Sequence, residues 1–147
     1  MATAPAVPGQ PVATAVPETP PQPPTPTGDT LTDMMNQLKF EKAQDWVSTS
    51  SLMKGELKKG KSAGYTVSLP GPPYCHTIIA VSEESNIKDI SLKLESPAGV
   101  EEAKDDTEEE TALIVNHCPA TAQIEPYKLF VTADGGNGEF AVQIFSK

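Results

Sequence analysis

From Met53 to Phe145 the apolar residues keep a period of two, in short runs cut apart by glycine and proline. Nothing else in the chain restricts its fold as strongly, because a period of two is the signature of strands with one buried face. Met53, Gly55 and Leu57 alternate with charged residues, and "KKGKSAG" turns the chain. Tyr65, Val67 and Leu69 alternate next, and "PGPP" ends that run. "CHTIIAV" is apolar on both faces, as a central strand is. In "IKDISLKLES" Ile90, Leu92 and Leu94 share one face while Asp89, Ser91 and Lys93 share the other. "SPAG" (96–99) is a turn, "TALIVNHC" and "YKLFVTA" are strands, and "DGGNG" is a hairpin turn before "EFAVQIF". Seven strands with turn signals at short intervals predict a mainly β chain, an antiparallel sandwich or barrel. The run "EEAKDDTEEE" (101–110) is too charged to pack and reads as a solvated loop.

The period changes upstream. In "DTLTDMMNQLKFEKAQDWV" Leu31, Met34, Met35 and Leu38 recur at helical spacing, with Ala43, Trp46 and Val47 extending the stripe. Thr30 and Asp33 resemble a capping box. Such a helix either packs on the following domain or docks on a partner protein through Met34, Met35, Leu38 and Trp46. Residues 1–27 hold nine of the fifteen prolines and a single charged residue, Glu18, which predicts an extended, solvated tether. No Arg or Lys flanks those prolines to orient a recognition motif. The expected organisation is a disordered tether over 1–28, an amphipathic helix over 29–48 and a β-sandwich over 49–147.

Charge removes some functions. Asp and Glu outnumber Lys and Arg by 20 to 11, a net charge of −9, so the basic footprint of a nucleic-acid or anionic-membrane surface is missing. No apolar run reaches the length of a membrane span. The opening "MATAPAVPG" lacks the charged-then-apolar order of a signal peptide. It reads equally as a cytoplasmic start or as Met placed on a mature exported chain, and membrane anchoring is expected only through a lost signal or lipid.

Both cysteines sit beside both histidines, in mirror order: "CH" at 75–76 and "HC" at 117–118. Two Cys and two His form a legitimate zinc set. Adjacent strand residues point to opposite faces, however, so His76 and His117 converge with the cysteines only if both strands end there. In an antiparallel pair, a step forward on one strand is a step back on the other. If Cys75 faces Cys118, then His76 faces His117, as the mirror order requires. The leading expectation is therefore a Cys75–Cys118 disulfide, worth about 4 kcal/mol by restricting the unfolded chain. Reduced buried thiols and a metal site remain as alternatives. A catalytic Cys/His pair lacks a third orienting group. Asp105, Asp106, Glu108, Glu109 and Glu110 offer carboxylates to calcium but lack an EF-hand-like alternation. No nucleophile elbow or dinucleotide fingerprint is present.

The order of these features resembles the bacterial pre-peptidase C-terminal domain. "GELKKGKSAGYTVSL" resembles its opening turn and aromatic strand, "KDISLKLESPAG" its middle strand and turn, and "YKLFVTADGGNGEFAVQIF" its closing hairpin. Pro126 stands where that family often has glycine before the tyrosine. The resemblance implies a jelly-roll-like sandwich appended to exported proteins. Some members bind calcium, but no ligand pattern carries over. The combined expectation is a non-enzymatic exported or envelope-associated binding module, periplasmic, outer-membrane-associated or extracellular. The alternatives are a Cys/His metal carrier and a cytoplasmic scaffold with reduced thiols.

Overall fold

The computed structural model describes residues 23–83, 85–120 and 125–147. They form one helix, α1 (Thr30–Lys42), and nine strands: β1 (Val47–Ser48), β2 (Met53–Leu57), β3 (Ser62–Val67), β4 (His76–Ser82), β5 (Ile87–Glu95), β6 (Glu101–Asp105), β7 (Thr111–His117), β8 (Tyr127–Gly136) and β9 (Gly138–Ser146). The strands make two antiparallel sheets packed as a sandwich. One sheet has the order β3-β8-β5-β6. In the other, β9 lies between β4 and the successive short strands β1 and β2, and β7 forms the far edge beside β4.

The alternation seen in the sequence places the core. Ile78 and Ala80 of β4, Leu92 and Leu94 of β5, Leu129 and Val131 of β8, and Phe140 and Val142 of β9 meet between the sheets. The opposite faces of β4 and β9 carry Ile79, Val81, Ala141 and Phe145, which pack against Leu31 and Met35 of α1. Thus β4 is buried throughout its length because a sheet covers one face and a helix the other. Each large apolar side chain buried this way contributes about 1.5–3 kcal/mol relative to exposure. Met35, at 1 % exposure, anchors the helix layer.

The helix differs from its expected span in two ways. Its N-cap is Asp29, whose carboxylate accepts from the Thr32 amide, rather than Thr30. An ion pair from Lys54 of β2 to the same carboxylate ties the helix start to the sheet. The helix also ends at Lys42 instead of running to 48, and Ala43 has non-helical angles. Val47 and Ser48 instead pair with Ser146 and Phe145. A β-branched residue followed by Ser and Thr fits that extended edge better than a last helical turn.

The acidic run also departs from expectation, since Glu101–Asp105 is strand β6 rather than loop. An edge strand needs hydrogen bonds on one side only and tolerates charge on its open side. Ala103 packs against the core while Glu101, Glu102 and Lys104 face solvent. At the other end of that sheet β8 continues through Gly135 with a register shift, so the turn into β9 shrinks to Asn137. Gly136 has φ +98°, and a Cβ there would stand 2.1 Å from the Asn86 carbonyl oxygen. The first 22 positions of the expected tether lie outside the described residues. Residues 23–27 carry no regular structure, and the Thr27 amide donates to Asp33.

Candidate binding site at the disulfide end of the sandwich

The start of β4, the end of β7 and the end of β9 meet at one end of the sandwich. The Cys75 amide donates to the Lys147 carbonyl and the Lys147 amide donates back, both at 3.0 Å, extending the β4–β9 ladder by one pair. Cys75 and Cys118 are joined by a disulfide across a Cα–Cα distance of 4.1 Å, and His76 pairs with His117 in the strand register. The mirrored order of the two pairs is thus the register of one antiparallel ladder.

The two imidazoles have different surroundings. His76 is 1 % exposed, with Nδ1 2.6 Å from Ser146 Oγ and Nε2 2.8 Å from the Pro70 carbonyl oxygen. A carbonyl only accepts, so Nε2 carries the proton and Nδ1 accepts from the Ser146 hydroxyl. Thr49 Oγ1, 2.9 Å from Ser146 Oγ, completes a Thr–Ser–His chain. Burial holds His76 below the ordinary imidazole value; the Pro70 carbonyl partly opposes this and the His117 charge adds to it. His117 is partly buried at the end of the edge strand β7. Its Nε2 is 3.1 Å from Glu102 Oε1 without hydrogen-bond alignment, and its ring stands edge-on to Tyr127. The contact to Glu102 links β7 to β6 across the two sheets.

With both thiols in the bridge and both nitrogens of His76 engaged, these four residues do not form a ligand set. Among the described residues no group of three or more His, Cys, Asp or Glu is placed to hold a metal ion. The acidic residues proposed for calcium are also used otherwise. Asp105 accepts from the Thr107 amide and hydroxyl and from the Leu113 amide, while Asp106 pairs with Lys104 at 3.7 Å. The fold instead brings Asp106 and Glu108, from the connection after β6, near Asp89 of β5 and Asp134 of β8. Burial first, then Asp134, Glu108 and Asp106, raise the Asp89 carboxyl above its ordinary value. That grouping was not legible in the linear acidic run.

Beside the bridge is an open groove of about 580 Å³, lined by Val47, Thr49, Pro70 and Tyr74, with the buried Ser146 and His76 at its base and the exposed Lys147 at its rim. Val47 and Tyr74 are 66 % and 51 % exposed, two of the four large hydrophobic side chains exposed among the described residues. Sequence reasoning missed this groove, taking Val47 for the helix stripe and "PGPP" for a strand break. The exposed tyrosine between two prolines and a cysteine was the available signal. Ser146 and His76 have the spacing of a nucleophile and base. However, the neighbouring amides of Thr49, Cys75 and Lys147 all donate to carbonyls, leaving none of them to stabilise an oxyanion.

The helix residues expected to meet a partner are divided between core and surface. Met35 is buried on the sheet, whereas Met34, Leu38 and Trp46 are partly buried. Met34 and Leu38 line a shallower depression of about 430 Å³ beside Thr111.

No known protein family matches the chain, and no curated protein matches it in sequence. Among solved structures, the chain is similar to Aeromonas hydrophila PliG, a periplasmic lysozyme inhibitor of g-type lysozyme. The two share 13 % identity over 68 % of this chain and 88 % of that one, with a TM-score of 0.45.

Proposed function

We propose that this chain is a non-enzymatic binding module of an oxidising, extracytoplasmic compartment, and that the groove beside the disulfide is its contact surface. The Cys75–Cys118 bridge carries the reading. It joins two strand ends with Cys118 exposed, where cytosolic thiol buffers would have access to it. The groove supplies the second part, because an apolar concavity of this size with a few polar groups at its base is the usual form of a binding site. The engaged amides around Ser146 favour binding over acyl transfer.

The resemblance of three stretches to the pre-peptidase C-terminal domain supports placement in the envelope. They fall on β2 to β3, on β5 with its following turn, and on the β8–β9 hairpin.

The compartment is tested by trapping thiols with an alkylating agent in intact cells and measuring the intact mass. The expected result is no alkylation and a mass two daltons below that of the reduced chain; two alkylated cysteines would overturn the reading. A g-type lysozyme, the target named for the A. hydrophila protein, is one partner to assay, by loss of its activity on adding the full chain. Replacing Tyr74 by Ala is expected to weaken binding of any partner that uses the groove.

A further inference from the structure

The chain before α1 does not leave the domain at the helix start. The Thr27 amide and hydroxyl both donate to Asp33, at 2.8 Å each, and Pro24, Thr25 and Pro26 lie beside Asp33, Asn36 and Gln37. Followed upstream, the chain therefore climbs the helix from its first turn to its second. The direction of residues 24–27 thus points along α1 toward its C-terminal end, and Val47 of the groove follows that end after a short connection.

We propose that the proline-rich leader, within residues 1–22, is the resident occupant of the groove, covering Tyr74 and Val47 until a partner displaces it. This rests on the groove being the contact surface of the proposed module. Reach is ample. An extended polyproline chain advances about 3.1 Å per residue, so 22 residues span up to about 68 Å, against about 20 Å for the whole of α1.

Chemistry matches as well. The leader offers Val7, Val12 and Val16 among its prolines, and such segments seat on aromatic-walled grooves at low entropic cost. Tyr74 and Pro70 provide that wall. Glu18 is the leader's one charge and Lys147 is the cation at the rim. Glu18 lies five residues before the first described residue, Pro23. Being on the same chain, the leader competes at a high effective concentration. The groove is then self-capped, and an outside ligand binds with reduced apparent affinity.

The test is NMR on the isotopically labelled full chain. Val7, Val12 and Val16 signals are expected away from unfolded-peptide positions, and to return to them in Tyr74→Ala, an exposed substitution. Changing Val12→Asp and Val16→Asp together leaves every described residue intact, and is expected to shift the signals of Val47, Tyr74 and Lys147. A synthetic peptide of residues 5–18 added to that double variant is expected to restore those signals. Leader valines at unfolded-peptide positions in the unaltered chain would overturn the proposal. So would shifts that vanish on tenfold dilution, which would assign the occupant to a second copy. If the leader stays free while Tyr74→Ala still weakens a partner, only the self-capping fails and the binding surface stands.

Discussion

Removing the bridge by Cys75→Ala with Cys118→Ala tests how this end of the sandwich is stabilised. The sequence separation is 43. Closing a loop of that length removes about 13 cal/mol/K from the unfolded chain, or about 4 kcal/mol at 25 °C. The native register does not depend on the sulfurs alone. Cys75 is held by two hydrogen bonds to Lys147, and the β4–β7 ladder continues through Ile78 and Ile114. The variant is therefore expected to fold with unchanged near-UV circular dichroism and to lose stability through its unfolded state. For roughly 120 folded residues the unfolding entropy is about 250 cal/mol/K, so the melting temperature falls by about 16 °C. Urea unfolding should also show a steeper slope, because the uncrosslinked chain exposes more surface. A drop below about 5 °C would refute this reasoning, as would loss of tertiary signal before the transition. The first result would show that the unfolded chain keeps its ends together. The second would show that the bridge defines the native packing.

Met35→Ala removes the side chain that anchors α1 on Ile79 and Val81, and is expected to cost about 2–5 kcal/mol in urea unfolding; a loss under about 1 kcal/mol would mean that the helix contributes little. Gly136→Ala must fit a Cβ 2.1 Å from the Asn86 carbonyl oxygen at φ +98°, so it should abolish folding or cost several kcal/mol. Gly60→Ala, with positive φ but nothing within 4 Å, is expected to cost only about 1–2 kcal/mol, and equal costs would contradict the steric account. Asp89 has its folded carboxyl raised above 3.8, so its stabilising contribution is present below that value and is lost as pH rises through the folded pKa. Asp89→Asn should therefore melt higher than the unaltered chain at pH 7, and the gain should disappear below pH 3.8; equal melting temperatures at pH 7 would sink the argument.

Local chemistry made much of this molecule readable before its structure. Alternation in "KDISLKLES" distinguishes the core face of β5 from its outer face because the pleat has a period of two. "CHTIIAV" must be covered twice, and β4 is, by a sheet and by a helix. The mirrored Cys/His pairs encode a register, because antiparallel neighbours reverse order. Other features depend on what lies across space. Glu101–Asp105 forms a strand on the open edge of β5, and Val47 and Ser48 pair along β9 beyond the helix end. The crowding of Asp89 by Asp134, and the groove formed by Val47, Tyr74 and Lys147, join positions far apart in the chain. Period, turn chemistry and pairing order are properties of neighbours along the backbone, so the sequence carries them outright. Edges, grooves and charge clusters arise from which surfaces remain uncovered after the sheets close, and only the packed structure determines that.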